Sequence, residues 1–364
     1  MSPDHQHANG EIDIASLHAQ DSTGLLARID RAVVWDIPLT TPFRGITRRD
    51  GVLLHGPGGW GEVAPFWDYG SEASAPWLAS GLCQALGNSL LPRYRETISV
   101  NVTVPEISAQ DASDLVRASG ARTAKVKVSG SSDKRAADLE RLEAVRSALG
   151  RSGKVRIDVN GAWDLDTARE NLPLMDRAAG GLEYAEQPCA TVYDLADLRR
   201  AVDVPIAADE SIRLSANPLE IVHRRAADVA ILKVAPLGGV HRAMDMAERL
   251  GLPTVVSSAL DTSVGIMAGA TLAFSLPSLN HACGLGTTYL LTQDVADPSV
   301  RPSNGTLRLD AAAPVSERLL DEVKAGPYLT KHWQTRLLHL AGALHARRQR
   351  EARDPSRAVA GLPL

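Results

Sequence analysis

The feature that most constrains the fold is a regular alternation of short strand-like runs and amphipathic helical segments that begins near residue 98. The runs start 23 to 32 residues apart, which is the length of one strand-helix unit. Eight strands are predicted, at 98–104, 123–128, 155–160, 182–186, 205–209, 229–234, 254–258 and 281–285. No G-x-G-x-x-G run follows an early strand, so the pattern favours a TIM-type (β/α)7β barrel over an open dinucleotide-binding sheet.

The residues on either side of this repeat have a different character. From Ala27 to about Asp68, β-rich runs alternate with turn residues, and a helix is predicted from Ser74 to about Leu91. We therefore expect an α+β lobe at 26–97, completed by about 295–340, beside a barrel at 98–294. The remaining segments, 1–25 and 341–364, are predicted to be a disordered N-terminal tail and a frayed C-terminal tail.

Composition excludes several classes of function. A net charge of -4 over 364 residues argues against a nucleic-acid or anionic-membrane partner. The three cysteines, Cys83, Cys189 and Cys283, form no C-x-x-C pair, which indicates reduced thiols rather than a disulfide framework or a zinc site. The most apolar stretch, Val264 to Leu276, is too short to span a bilayer. We expect a cytoplasmic protein that acts on a small molecule, as a monomer or homo-oligomer.

Charged residues stand at the carboxyl ends of the predicted strands, where active sites of barrels lie. Acids end three successive strands, at Asp158, Glu186 and Asp209, and lysines end the strands before and after them, at Lys127 and Lys233. Three converging carboxylates repel one another unless a cation lies among them, and hard oxygen ligands favour Mg²⁺, with Mn²⁺ as a substitute. The alternative is a rim of salt bridges without a metal.

Lys125 and Lys127 are two residues apart on one strand and therefore share a face. If that face is enclosed, burial and mutual repulsion favour a neutral amine, which can act as a base near neutral pH. Lys233, four strands further on, would lie across the barrel from them. This arrangement predicts removal of a proton α to a carboxylate, giving an enediolate whose charge a metal can stabilise.

Five motifs resemble those of the muconate-lactonizing-enzyme subgroup of the enolase superfamily. They are Thr123-Ala-Lys-Val-Lys127, Arg156-Ile-Asp-Val-Asn160, Glu186-Gln-Pro188, Ala208-Asp-Glu-Ser211 and Leu232-Lys-Val-Ala-Pro-Leu-Gly-Gly239. The resemblance extends from about Leu26 to Trp333, and it implies that the α+β lobe is a capping domain over the barrel. Within the subgroup, five further segments are most similar to actinobacterial o-succinylbenzoate synthases: Pro42–Thr47, Trp60–Glu62, Glu186–Ala190, Ser257–Asp261 and Cys283–Thr287.

The resemblance implies a hydro-lyase of menaquinone biosynthesis. Lys127 would remove a proton from 2-succinyl-6-hydroxy-2,4-cyclohexadiene-1-carboxylate and return it to the departing hydroxyl, a syn dehydration that yields 2-succinylbenzoate. Lys233 would stabilise the enediolate by its charge and by a cation–π contact. Lys125 would lie near the substrate carboxylate and lower the pKa of Lys127. Three carboxylates would bind Mg²⁺, namely Asp158, Glu186 and Asp209.

Substrate contacts are predicted more broadly. Arg156 shares a face with Asp158 and is expected either to meet an anion in the pocket or to pair with a neighbouring carboxylate. Ser258 and the backbone of Gly284 and Gly286 are candidate donors to the succinyl carboxylate. Two further predicted contacts are Asn160 at a strand end and Arg44 on a loop of the first lobe.

Two other functions are compatible with the sequence. An N-succinylamino acid racemase or a dipeptide epimerase would use Lys127 and Lys233 as an acid–base pair on opposite faces of its substrate. Because both reactions need the same five ionic side chains, the motifs do not separate them. A binding or structural protein on a barrel scaffold would not need all five positions, which disfavours that interpretation.

Overall fold

The computed structural model describes residues 10–308 and 314–353. Its two main sheets are a three-stranded antiparallel sheet and a seven-stranded parallel sheet, and a further strand pair joins residues 97–99 to 306–308. The first half of the chain contains α1 (Ile14–Gln20), β1 (Arg31–Phe43), β2 (Ile46–Gly56), β3 (Gly59–Val63), α2 (Ser71–Ala85), β4 (Thr97–Ser99), β5 (Val102–Val104), α3 (Ala109–Ser119), β6 (Thr123–Lys127), α4 (Arg135–Leu149), β7 (Lys154–Asp158) and α5 (Leu165–Ala178). The second half contains β8 (Leu182–Glu186), α6 (Val192–Ala201), β9 (Ile206–Ala208), α7 (Glu210–Arg213), α8 (Glu220–His223), β10 (Val229–Lys233), α9 (Val234–Leu237), α10 (Val240–Leu250), β11 (Thr254–Ser257), α11 (Ser263–Ser275), β12 (Thr306–Arg308), α12 (Glu317–Glu322) and α13 (Pro327–Arg353).

The cap lobe, which we define as β1–β3 with α1, α2, α12 and α13, draws on both ends of the chain. Its core packs Trp77 of α2 against Trp333 and Leu337 of α13, all buried. The chain near residue 324 also pairs with the edge of β1, where the Ala325 amide donates to Val34 O at 2.9 Å. The last described helix is therefore part of the first lobe's core.

The barrel strands run in the order β5 to β11, each parallel to its neighbour and each following its neighbour in the chain. These seven strands do not close into a ring by themselves. The predicted eighth strand, 281–285, is not a regular strand, but Cys283 forms a parallel bridge to Val100 and Gly284 forms one to Ser257. The chain at 283–284 thus occupies the gap between β11 and the residues before β5.

Two predicted strands differ from those observed for identifiable reasons. The run 98–104 divides into β4 and β5, because β4 leaves the barrel and pairs antiparallel with β12. In the cap lobe, where turn residues were expected to separate the β-rich runs, β1 continues through Pro38 and Pro42. It is an outer strand of its sheet, where proline removes no ladder hydrogen bond, and its register shifts between Pro38 and Phe43.

The described parts of the two predicted tails are ordered. Asp13 caps α1 by accepting from the Ala15 and Ser16 amides, and Leu17 of this helix is fully buried in the cap-lobe core. At the other end, α13 runs to Arg353, with Leu344 buried and Glu351 paired to Arg242 at 2.7 Å. The predicted tails are therefore wrong over 10–25 and 341–353, because apolar and ionic contacts hold both segments. Residues 1–9 and 354–364 lie outside the described part.

Two negative predictions concern membranes and disulfides. Within residues 10–308 and 314–353, no helix is both long and apolar enough to cross a membrane. All three cysteines are free thiols, and Cys189 and Cys283 are buried.

Candidate active site

The parallel register brings the charged strand ends to one end of the barrel. Lys127 at the end of β6 is in register with Asp158 on β7, which is in register with Glu186 on β8. Asp209 directly follows β9, and Lys233 ends β10. The three carboxylates are almost completely buried. Strand parity and chain order alone account for this convergence, since parallel strands end at the same edge.

Lysine ammonium groups lie between the carboxylates. Lys125 Nζ is 2.9 Å from Asp158 Oδ2 and 3.0 Å from Glu186 Oε1. Lys127 Nζ is 2.6 Å from the same Asp158 oxygen and 2.5 Å from Asn160 Oδ1. Both lysines of β6 therefore donate to Asp158 of β7. Lys125 also donates to Glu186 of β8, and Lys127 to Asn160, which follows β7.

On the opposite side of the barrel, Lys233 Nζ donates to Asp209 Oδ2 at 2.5 Å. Lys233 and Lys127 lie four strands apart in the sheet order and line the same cavity. The site therefore presents one amine from each side, as the sequence pattern predicted.

The carboxylates do not share their charge equally. Burial raises the pKa of Glu186 to about 7, and the neighbouring Asp158 adds to this effect. Although burial opposes it, the ammonium groups of Lys125 and Lys127 hold the pKa of Asp158 well below its usual range. Burial also acts against ionisation of Asp209, but Arg213 and Lys233 lower the pKa of that carboxyl to about 2. Glu186 is thus the acid that most needs additional positive charge.

The two lysines of β6 are also unequal. Burial lowers the pKa of Lys127, and the adjacent Lys125 charge acts in the same direction, against the attraction of Asp158. For Lys125, burial is outweighed by Asp158 and Glu186, which raise its pKa well above the usual value. Lys127 is therefore the amine more easily freed of its proton, and Lys125 stays an ammonium ion.

The donor chemistry of the site fits a hard divalent cation. Asp158, Glu186 and Asp209 supply only oxygen, lie at the ends of three adjacent strands, and are all buried. The described residues contain no group of three or more histidine, cysteine or acidic side chains already gathered at metal-binding distance. The ammonium groups of Lys125 and Lys233 lie against these carboxylates instead, so a bound cation would take over part of their role.

The cap lobe covers the site. The cavity between the lobes has a volume of about 60 Å³ and is lined from both sides. The Phe43 ring of the cap reaches the mouth of the barrel, where its centroid is 5.4 Å from Lys127 Nζ. The residues that line this cavity include Phe43, Arg44 and Phe66 from the cap and Lys127, Lys233 and Ser258 from the barrel.

Arg156 does not reach the substrate pocket. It is fully buried in register with Lys125, one layer below the charged strand ends, and its Nε donates to Glu183 at 2.5 Å. The register between β7 and β8 shifts at Glu183, so that this carboxylate has no strand partner and meets Arg156 instead. The predicted role of Arg156 as a substrate contact is therefore wrong, and its alternative, pairing with a neighbouring acid, is observed.

The predicted donors to the succinyl carboxylate are already engaged. The Gly284 amide donates to Val256 O at 2.8 Å, and Ser258 Oγ donates to Gly284 O at 2.7 Å. Gly286 lies outside the pocket, in a neighbouring cavity of about 490 Å³ bounded by α3. Ser258 and Gly284 line the substrate cavity, but their hydrogen bonds serve to close the barrel.

The predicted contacts Arg44 and Asn160 do line the cavity. Arg44 and Gly45 both have positive φ, as the two-residue turn between β1 and β2 requires. Sequence reasoning missed Arg213, whose Nε donates to Asp209 Oδ1 at 3.0 Å. Its spacing four residues after a strand-end acid, on a short helix, was the available signal.

Two family sequence models match the chain. One, described as "Enolase C-terminal domain-like", matches residues 108–314, more than half of the chain, and one described as "Enolase N-terminal domain-like" matches residues 34–85. The chain belongs to the enolase superfamily.

Within the superfamily, the chain is similar to curated o-succinylbenzoate synthases. The protein of Thermobifida fusca (strain YX) is 52% identical over 305 residues, which cover 83% of this chain and 93% of the relative. That of Mycobacterium tuberculosis (strain ATCC 25618 / H37Rv) is 46% identical over 314 residues, 86% of this chain and 94% of the relative. The similarity includes both lobes.

Solved structures of the superfamily have the same fold. The L-Ala-D/L-Glu epimerase from Bacillus subtilis is 26% identical, with a TM-score of 0.67 over 79% of this chain and 98% of that one. Muconate lactonizing enzyme from Pseudomonas putida is 21% identical, with a TM-score of 0.67 over 81% of this chain and 99% of that one, and supports the fold alone.

Proposed function

We propose that the protein is a hydro-lyase that converts 2-succinyl-6-hydroxy-2,4-cyclohexadiene-1-carboxylate to 2-succinylbenzoate in the cytoplasmic synthesis of menaquinone. The supporting observation is a pair of lysines, Lys127 and Lys233, on opposite sides of a pocket that Asp158 also lines. The buried carboxylates of Glu186 and Asp209 lie beside it, in contact with Lys125 and Lys233. Identity of 46–52% to curated o-succinylbenzoate synthases over nearly their whole length supports this choice of substrate.

In the proposed reaction, Lys127 acts first as base and then as acid. Its neutral Nζ takes the proton from the ring carbon that bears the carboxylate, and the electron pair moves into the carboxyl group. The protonated Nζ then gives the same proton to the ring hydroxyl as the carbon–oxygen bond breaks. Water leaves, a new double bond completes the aromatic ring, and Lys127 is neutral again. The lowered pKa of Lys127 supports this cycle, because the base must be unprotonated at the start.

The other charged residues would stabilise the negative charge that develops after proton removal. Lys233, across the pocket, would contribute its positive charge and a cation–π contact with the ring. Dependence on a divalent metal is a property of the superfamily, and we propose Mg²⁺, with Mn²⁺ as a substitute, held by Asp158, Glu186 and Asp209. When bound, such an ion would supply Lewis-acid stabilisation of the substrate carboxylate.

The test follows the ultraviolet absorbance of the aromatic product with the purified protein and the cyclohexadiene substrate. Lys127→Ala is expected to lower kcat by at least about 10²–10⁴-fold, the usual contribution of a general base, while the fold is retained. Lys154→Ala is the matched control. Lys154 lies at the start of β7, away from the charged strand ends, where it is half exposed and pairs with Glu183 of β8. No product from the wild-type protein, or full activity of Lys127→Ala, would contradict the proposal.

A racemase or epimerase of N-acylated amino acids is the second candidate. Placement of one lysine on each side of the pocket favours it, since racemisation needs an acid and a base on opposite faces. Exchange of the α-proton of N-succinylamino acids in deuterium oxide tests it. If this is the main reaction, Lys233→Ala loses exchange for one enantiomer only. In the dehydratase, the same variant loses charge stabilisation and has a lower kcat.

A further inference from the structure

The hydroxyl of Tyr69 lies between two arginines at the mouth of the site. Tyr69, from the cap-lobe loop before α2, accepts from Arg44 Nη2 at 2.6 Å and from Arg213 Nη1 at 2.9 Å. The tyrosine ring also lies near both guanidinium groups, at 5.1 Å from Arg44 and 5.8 Å from Arg213. One neutral side chain therefore holds together two cations that would otherwise repel each other.

Arg213 continues the contact into the barrel. With its side chain only 6% exposed, it donates from Nε to Asp209 Oδ1 at 3.0 Å and from Nη2 to Glu210 Oε1 at 2.7 Å. Each of its three nitrogens thus donates a hydrogen bond, one to Tyr69 of the cap and the other two to Asp209 and Glu210 of the barrel. The position of the Asp209 carboxylate depends on a guanidinium group that Tyr69 fixes.

Arg44 continues the contact in the other direction, into the substrate pocket. It lines the cavity from the β1–β2 turn, and its guanidinium packs on the Phe66 ring at 4.1 Å. Arg44 also forms an ion pair with Asp68 at 3.2 Å, and the Asp68 side chain is 63% exposed. Because an exposed ion pair contributes little, the Tyr69 hydroxyl is the main polar contact that sets the position of this side chain.

We propose that Tyr69 is a positioning residue that couples binding of a dicarboxylate in the pocket to binding of the divalent metal. A ligand anion that fixes the position of Arg44 also fixes Tyr69. Through Arg213, Tyr69 then holds the Asp209 carboxylate in the orientation that binds the metal. The reverse holds by thermodynamic linkage, so each ligand raises the affinity for the other. This inference rests on the proposed function for its ligand, the product 2-succinylbenzoate.

The experiment measures free Mn²⁺ by electron paramagnetic resonance, with and without 2-succinylbenzoate, so that it does not depend on turnover. In the wild-type protein, the product is expected to tighten Mn²⁺ binding about tenfold, within the usual range of coupling between sites. Tyr69→Phe keeps the ring against Trp77 but removes the hydroxyl. We expect it to reduce this coupling to less than about twofold and to weaken Mn²⁺ binding alone several-fold.

Tyr193→Phe is the matched control. Its hydroxyl also accepts from an arginine, Arg224 Nη2 at 3.0 Å, and its ring also lies under that guanidinium, but it is on α6 away from the pocket. This variant should keep the full coupling. Arg213→Lys is a second test, because it replaces the three separate nitrogens that contact Tyr69, Asp209 and Glu210 with a single one, and it should lose coupling as Tyr69→Phe does.

The outcomes separate the inference from the proposed function. Coupling in the wild type that persists in both Tyr69→Phe and Arg213→Lys overturns the role of Tyr69. Product binding to the wild type without any effect on Mn²⁺ affinity overturns the coupling, while the proposed function stands. If the product does not bind and the cyclohexadiene substrate is not converted, the proposed function fails and the inference falls with it.

Discussion

Glu62 of the cap lobe is a carboxyl group buried against the start of α11. Its two oxygens accept from the Thr262 amide at 3.2 Å and from the Gly265 amide at 3.0 Å. Burial raises the pKa of Glu62 to about 8, and the charge of Asp261 adds to the shift while Arg49 opposes it. The folded protein therefore keeps a proton on Glu62 at neutral pH, which an unfolded chain would release.

This residue gives stability a pH dependence that can be measured. Glu62 titrates near 4.5 when unfolded and near 8 when folded, so its contribution is complete below about pH 4.5 and is lost as the pH rises to about 8. The slope of the free energy of unfolding approaches about 1.4 kcal/mol per pH unit within that window. Glu62→Gln cannot titrate, and its stability relative to the wild type should rise over the same range.

Urea denaturation at about pH 5, 6.5 and 8 compares the two proteins. Glu140→Gln, at an exposed position on α4, is the control and should follow the wild type at each pH. Parallel stability profiles for wild type and Glu62→Gln would contradict the assignment.

At the scale of an element, α1 illustrates how a short segment is stabilised by its neighbours rather than by its own sequence. Seven residues are too few to be helical in isolation. The Asp13 cap satisfies two amides at the start of the helix, and Leu17 inserts into a core shared with α2 and α13. The helix is thus held from outside by elements that lie more than 50 residues away in the chain.

Leu17→Ala is expected to lower the free energy of unfolding by about 2–5 kcal/mol, the usual range for a fully buried leucine. Leu90→Ala, at a position that is 87% exposed, should change it by less than about 0.5 kcal/mol. Chemical denaturation of both variants checks this. Equal stability of the two would indicate that residues 10–25 do not pack as described.

At the scale of the whole molecule, the two lobes meet over the charged end of the barrel. Cap residues hydrogen-bond to the loop after β11 and to the start of α11: Arg49 Nε donates to Leu260 O at 3.3 Å, and Gln84 Nε2 donates to Val264 O at 2.8 Å. Ser258 and Leu260 of this loop line the substrate cavity. Ligands bound at the mouth of the barrel are therefore expected to stabilise both lobes together.

Metal binding tests this expectation. Mg²⁺ at about 100 times its dissociation constant should add about 2.7 kcal/mol to the free energy of unfolding and raise the thermal midpoint in a single transition. Chelation with EDTA should reverse the change. Asp209→Asn should lose most of the stabilisation, whereas Asp166→Asn, at a side chain that is 94% exposed, should keep it. An unchanged midpoint in the wild type, or the same rise in Asp209→Asn, would be evidence against the proposed ligands.

Much of the barrel and of its charged end follows from local features of the sequence. Strand parity puts Lys125 and Lys127 on one face, and the strand-helix repeat puts Asp158, Glu186 and Asp209 at the ends of adjacent strands. These features depend on alternation and spacing, which one sequence displays directly. Proximity of like charges gives the direction of the Lys127 pKa shift, but the inequality of the two lysines depends on burial and on the second carboxylate, Glu186, that Lys125 contacts.

Contacts between residues far apart in the chain were decided only by the tertiary structure. The register shift at Glu183 gives Arg156 a carboxylate partner below the charged strand ends, and the bridges of Cys283 and Gly284 occupy the last gap in the barrel without forming a strand. Tyr69 reaches Arg213 across 144 positions, a separation that no local pattern encodes. The sequence by itself determined the repeat and the chemistry of the strand ends, because these depend on neighbours in the chain. Pairing partners, ordered termini and the contact between cap and barrel depend on which surfaces meet after folding.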